Sequence, residues 1–200
     1  IATQRAADLT RQLLAYAGKG RFVVSPIDLS ELVREIASLV QASIPRNVQL
    51  RLRLAENLPR VEADASQIQQ LVMNLVINAA EAIGESNGTV MVTTGVLDAD
   101  DYYLRSVAAE SEISPGRYVF LEVNDSGCGM DAETVSRIFD PFFTTKFTGR
   151  GLGLAAVSGI VRGHRGAIKV YSDEGKGSTF KVLLPAAGAA AAQGEAGDAK

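Results

Sequence analysis

The chain has no tryptophan, one cysteine and one histidine among its 200 residues. It also lacks any run of about eighteen apolar residues, so no segment reads as a membrane-spanning helix. The single thiol, Cys128, excludes an internal disulfide and fits a reducing compartment. An excess of one charge is missing too. Twenty Lys and Arg against 23 Asp and Glu leave a net charge of -3, without the basic footprint expected of a nucleic-acid binder. No internal repeat and no signal peptide are apparent. The chain opens at Ile1 already inside a helical pattern, so a piece of something longer is expected, with room for a membrane segment upstream.

What remains is the composition of a globular protein, 46% hydrophobic and 22% charged. Its length suits one domain of ordinary size plus an appendage. Three units are expected: residues 1–20, a helix end and linker; residues 21–185, the domain; and residues 186–200, an alanine- and glycine-rich tail unable to build a core. In the first unit Ala2, Ala6, Leu9, Leu13 and Tyr16 follow a 4-3-4-3 spacing. That is the seam of a coiled coil or bundle, or a stripe folded back on its own domain.

Within the domain, Phe22–Val24 suggests a short strand closed by Ser25-Pro26. A helix over about 30–43 follows, capped by Asp28 or Ser30. Val48, Leu50, Leu52 and Leu54 alternate with Gln49, Arg51 and Arg53, predicting a strand with one buried face. Asp64 is placed to cap a long helix over about 65–84, whose stripe is Ile68, Leu71, Val72, Leu75, Val76, Ala79 and Ile83. Asn74 and Asn78 lie one turn apart on it. Buried asparagine is costly without partners, and each alone has an ordinary reading as a hydrogen bond to a neighbouring loop. As a pair they suit a polar ligand such as phosphate oxygens and a hydrated metal ion, since Mg²⁺ needs only one or two protein oxygens. Strands over about 89–96 and 117–124 are joined by a polar stretch expected to be an exposed excursion. Later, Leu154–Val161 reads as a helix, and Ile168–Tyr171 and Thr179–Leu184 as strands around a turn.

The organising stretch is 121–153. A strand ends at Asp125-Ser126-Gly127-Cys128-Gly129; about twenty residues on, Gly149-Arg150-Gly151-Leu152-Gly153 opens a helix. A helix start presents unpaired N–H groups and the positive dipole end to an anion. An acidic turn beside such a loop suggests a nucleotide, with the carboxylate on the base and the loop on the phosphates. The dinucleotide fingerprint does not fit, because no strand leads directly into the second glycine cluster. The Lys-Ser/Thr ending of a P-loop is absent as well.

Four segments, NLVINAAEA, NDSGCGM, FDPFFTTK and GRGLGL, resemble in order and spacing the N, first G, F and second G boxes of the ATP-binding catalytic domain of bacterial sensor histidine kinases. These belong to the superfamily that includes DNA gyrase and certain ATPase chaperones. The resemblance runs from about Phe22 to Pro185, and AADLTRQLLAYAG is similar to the end of a second dimerisation helix. It implies a two-layer α/β sandwich of the Bergerat type, a mixed sheet with three helices on one face and an ATP lid over about 131–150.

By the same resemblance, Asp125 accepts from the adenine amino group with help from Thr179, and Gly127 and Gly129 let the backbone approach the base. Asn78 coordinates Mg²⁺, and Asn74 lies near the phosphates or their waters. Lys146 and Arg150 supply charge, the amides of Gly151, Leu152 and Gly153 cradle the phosphates, and Phe142 and Phe143 anchor the lid. The implied cofactors are ATP and Mg²⁺. The implied partners are a dimerisation domain carrying the phosphoacceptor histidine, absent here, and a response-regulator receiver domain, in a dimeric parent kinase facing the cytoplasm. An alanine-rich tail would also suit a hybrid kinase. His164, in GHRG, corresponds to a structural histidine rather than the acceptor, and Glu81 stands where many kinases have lysine. The alternatives are an ATPase whose nucleotide state drives a conformational change, or a non-catalytic nucleotide-binding module.

Overall fold

The computed structural model describes residues 23–107, 113–146 and 151–188. The helix and linker expected over 1–20, most of the tail and two residues of the second glycine cluster, Gly149 and Arg150, lie outside these. Five strands form the main sheet in the order β2-β4-β5-β7-β6: β2 Val48–Arg53, β4 Gly88–Ala99, β5 Gly116–Asp125, β7 Gly177–Pro185 and β6 Ala167–Asp173. β2 runs parallel to β4, and the other pairs are antiparallel, which makes the sheet mixed. A two-stranded ribbon, β1 Ser25–Ile27 with β3 Val61–Ala63, sits apart.

One face of the sheet carries α1 Leu29–Val40, α2 Ala65–Ile83 and α5 Gly153–Gly163. Val90, Val92, Val119, Leu121, Val123, Val182 and Leu184 alternate along the strands to meet Ile36, Ile68, Leu71, Leu75 and Ile160 from the helices in one core. The expected sandwich, with three helices on one face, is what forms. Asp28 caps α1 by accepting from the Glu31 amide. Ser30 is instead buried inside α1, donating to the Ala55 carbonyl and sharing a bond with Thr94, which accepts from the Ala55 amide. That closed ring of hydroxyls and one peptide unit pins the segment after β2 to α1 and β4.

Several expectations shift. The first strand is Ser25–Ile27, paired with β3; Val23 and Val24 are not part of it, and Phe22 of the expected strand lies outside the described residues. α1 ends at Val40 rather than 43. β2 is an edge strand, so Leu52 is 41% exposed although its alternation suggested a buried face. The polar excursion contains α3, Asp101–Val107, whose Leu104 is buried with Ala99, Tyr118, Ala167 and Leu183 against the other face of the sheet. The domain also continues past Pro185: Ala186 bridges Val61, and the Ala187 amide donates to the Arg60 carbonyl.

Candidate functional site

A cavity of about 530 Å³ lies between α2, α5, the end of β5 and the segment 128–146. Asp125 is at one end, 3% exposed at the last position of β5. Its Oδ1 accepts from the Gly127 amide at 2.8 Å and the Ser178 amide at 3.3 Å. Among the described residues no bond falls on Oδ2, which leaves that oxygen for the cavity. Burial raises the Asp125 pKa, opposed by the Gly127 and Ser178 hydrogen bonds and by the charge of Lys146. The result is a carboxylate in a largely desolvated pocket with an unspent acceptor.

The loop that follows Asp125 is held against protein rather than left open for a ligand. A Cβ on Gly127 would lie 2.6 Å from the Ala82 carbonyl carbon, and the Cys128 amide donates to the Ala82 carbonyl at 3.0 Å. Gly129 has φ +67, a left-handed conformation, and a Cβ there would overlap the Asp173 carbonyl oxygen. These glycines admit α2 and the β6–β7 turn. Gly129 also lines the cavity, and Gly127 does not.

At the other end α5 begins without a side-chain cap. Its first helical bond runs from the Ala156 amide to the Leu152 carbonyl, so the amides of Gly153, Leu154 and Ala155 have no partner among the described residues. Gly151, Leu152, Gly153 and Leu154 line the cavity there. Asn78 of α2 also lines the cavity, its Nδ2 3.5 Å from where a Cβ on Gly153 would lie. Its neighbour Asn74 donates to the Gly153 carbonyl at 3.2 Å, locking α5 to α2, and does not line the cavity. Of the two asparagines, Asn78 is the one that lines the cavity.

The remaining wall comes from α4 Ala132–Arg137 and the loop after it. Asp131 caps α4 through the Thr134 amide. Phe143 packs on the core beneath the Arg137 guanidinium, 4.4 Å from its ring centre. Phe142, expected to anchor the lid beside it, is 67% exposed; its amide bonds the Gly151 carbonyl, so the tether there is backbone, not ring. Lys146 lines the cavity with its Nζ 2.6 Å from Glu81 Oε2 on α2.

Thr179 is not in the cavity. It pairs across the sheet with Asn124, whose side-chain amide donates to its hydroxyl at 2.7 Å, on the face away from α2. Ser178 and Phe180, one residue to either side, line the cavity instead. The period of two along β7 decides the assignment, and the register was open in the sequence. Cys128, Met130, Thr134 and Ile138 also line the cavity and were not foreseen; apart from Gly129, the segment after the first glycine turn offered no signal of which residues face inward. His164 is buried away from the site: its Nε2 accepts from the Asp64 amide while Nδ1–H donates to the Ile160 carbonyl. This fixes the neutral tautomer in a structural role.

A desolvated carboxylate at the end of a strand, an uncapped helix start and an amide on the neighbouring helix, with helices covering one face of a mixed sheet, define a nucleotide-binding α/β sandwich. The chain belongs to the histidine kinase-, DNA gyrase B- and HSP90-like ATPase family, which residues 63–188 match. Among curated relatives, it is 39% identical over 175 residues to the sensor histidine kinase ZraS of Escherichia coli K12, covering 87% of this chain and 34% of that protein. It is 35% identical over 183 residues to the sensor kinase CckA of Brucella abortus, covering 90% of this chain and 19% of that one. Among solved structures, the catalytic domain of histidine kinase ThkA superposes with a TM-score of 0.63 at 33% identity, over 82% of this chain and 95% of that one. The chain thus spans about a third of one of these curated relatives and about a fifth of the other.

Proposed function

We propose that this domain binds Mg-ATP and, within a sensor histidine kinase, donates the γ-phosphoryl group to a histidine on a dimerisation domain. The observation that carries the reading is the cavity's polarity, with the unspent Oδ2 of Asp125 at one end and the free amides of α5 at the other. The first suits the exocyclic amine of adenine, an obligate donor. The second suits a polyphosphate. ShkA, a structural neighbour at a TM-score of 0.71 and 24% identity, is described in complex with the ATP analogue AMPPNP; at that identity the likeness supports the fold.

Asn78 fits a magnesium-bound triphosphate. Among the described residues no group of three or more His, Cys, Asp or Glu side chains is placed to hold a metal by itself. One amide oxygen, with phosphates and water completing the shell, is how Mg²⁺ is commonly held. Bound there, the ion would neutralise phosphate charge. The chain's own residues supply the rest: Asp125 orients the base, the α5 amides and Lys146 meet negative charge, and the segment 131–146 covers the site against water. Arg150 remains a candidate for the same charge-neutralising role. No carboxylate occupies position 74, where hydrolytic members of the superfamily carry a glutamate to activate water, and this favours transfer over hydrolysis.

In the parent, residues 1–20 would continue a dimerisation helix and dimerise with a second copy. The phosphoryl group would pass on to a response-regulator receiver domain. The complex of ThkA with the response regulator TrrA, at a TM-score of 0.64 and 29% identity, supports that arrangement. The single free thiol, Cys128, fits a cytoplasmic face; among the described residues no helix is long and apolar enough to cross a membrane. Calorimetric titration with ATP and Mg²⁺, with Asp125→Asn as comparison, tests the reading. Binding lost in the variant supports it, and a folded chain that takes up no nucleotide refutes it.

A further inference from the structure

Of the α2 residues that line the cavity, the polar ones are Asn78 and, one turn later, Glu81. An acidic side chain is a poor choice beside a polyphosphate site, because it repels the ligand. The structure shows what it meets: Lys146 Nζ sits 2.6 Å from Glu81 Oε2, and both residues line the cavity. The backbone of Lys146 is itself held, its amide donating to Thr144 Oγ1 at 3.1 Å. Phe143, three residues earlier, is clamped between the core and Arg137. The lysine is therefore presented to the cavity from two directions, by its own loop and by the carboxylate of a helix 65 residues away in sequence.

We infer that Glu81 is a positioning residue for nucleotide binding, holding the Lys146 ammonium at the cavity wall where a phosphate of the ligand can reach it. This rests on the Mg-ATP reading above. An ammonium has three donors, and the bond to Glu81 uses one, leaving two for phosphate oxygens. The pair is also partly exposed, with side chains 37% and 50% accessible. Exposed pairs of this kind are weak, so Nζ can shift toward a phosphate without a large penalty. Helix α2 thus meets the phosphates with a cation borrowed from the lid rather than one of its own, and the carboxylate at position 81 sets where that cation stands.

The test is the sign of one effect. Calorimetry is run on the chain with ATP and Mg²⁺ and, separately, with adenosine, for wild type, Glu81→Gln, Lys146→Ala and the double variant. A carboxylate that merely repels phosphate makes Glu81→Gln bind ATP more tightly. A carboxylate that positions Lys146 makes it bind about two- to fivefold more weakly, with adenosine affinity unchanged. In the Lys146→Ala background the same substitution tightens ATP binding, because only the repulsion remains to be removed. Unchanged or tighter ATP binding by Glu81→Gln overturns the inference while leaving the nucleotide site intact. Loss of both adenosine and ATP binding in the wild type overturns the site itself, and the inference with it.

Discussion

Gly129→Ala tests whether the first glycine turn is built for protein packing. The residue sits at φ +67, where a side chain costs about 1–2 kcal/mol. The new methyl would also overlap the Asp173 carbonyl oxygen, so the β6–β7 turn must move. Moving it endangers the bond from the Gly175 amide to the Cys128 carbonyl, a further 0.5–1.5 kcal/mol or so. Together these give about 2–3 kcal/mol, or about 4–12 °C in Tm for a domain of this size. The control is Gly175→Ala, at φ +75 with nothing within 4 Å of its Cβ, which carries the backbone term alone. Thermal unfolding of both variants without nucleotide should put Gly129→Ala clearly below Gly175→Ala. Equal or reversed losses would refute the packing account and return Gly129 to a role in approaching a ligand.

Asp125→Asn should raise the Tm of the nucleotide-free chain near neutral pH while weakening ATP binding tenfold or more; scanning calorimetry and titration read the two. The sign follows from burial: a carboxylate whose folded pKa is raised contributes stability that is present below its unfolded pKa and lost as pH rises through the folded value. For the same reason ATP affinity should begin to fall, on acidification, at a higher pH than an ordinary carboxylate would dictate, a trend absent in the Asn variant. Asp64→Asn should cost about 1–2 kcal/mol in denaturant unfolding. It puts an amide N–H against the Val23 amide now bonded to Oδ2. Burial opposes the lowered pKa of Asp64, but bonds from Ser66, Val23 and Gln67 outweigh it, so its contribution holds above the unfolded pKa and is lost as pH falls through the folded one. Thr179→Val should leave ATP affinity within about twofold, since its hydroxyl serves Asn124 on the far face of the sheet.

Elements with strong periodicity were legible in the sequence. The stripe of α2, its Asp64 cap and the alternation of β5 each carry their own signal, and four motifs in order and spacing pointed to the family. What escaped notice depended on contacts distant in sequence. α3 hid in an acidic stretch because its burial rests on Leu104, which needs Tyr118, Ala167 and Leu183 to cover it. Leu52 matches its buried counterparts in pattern but lies on an edge strand. Ser178 and Thr179 are adjacent and chemically alike, and only the pairing with β5 says which faces Asp125. Asn74 and Asn78 looked equivalent until the Gly153 carbonyl claimed one of them.

The segment between the first glycine turn and α5 is tied to α2 at both ends, at Ala82, which holds the Cys128 amide, and at Asn74, which holds Gly153. Eight residues of helix separate those anchors, about 12 Å. A segment tied at both ends to one rigid rod can change length without disturbing the sheet. Doubling such a loop costs about 0.6 kcal/mol in closure entropy, less than either anchoring bond is commonly worth. Insertions and deletions should therefore accumulate between the anchors, where descendants of this fold can vary how they cover the cavity while its Asp125 end stays as it is.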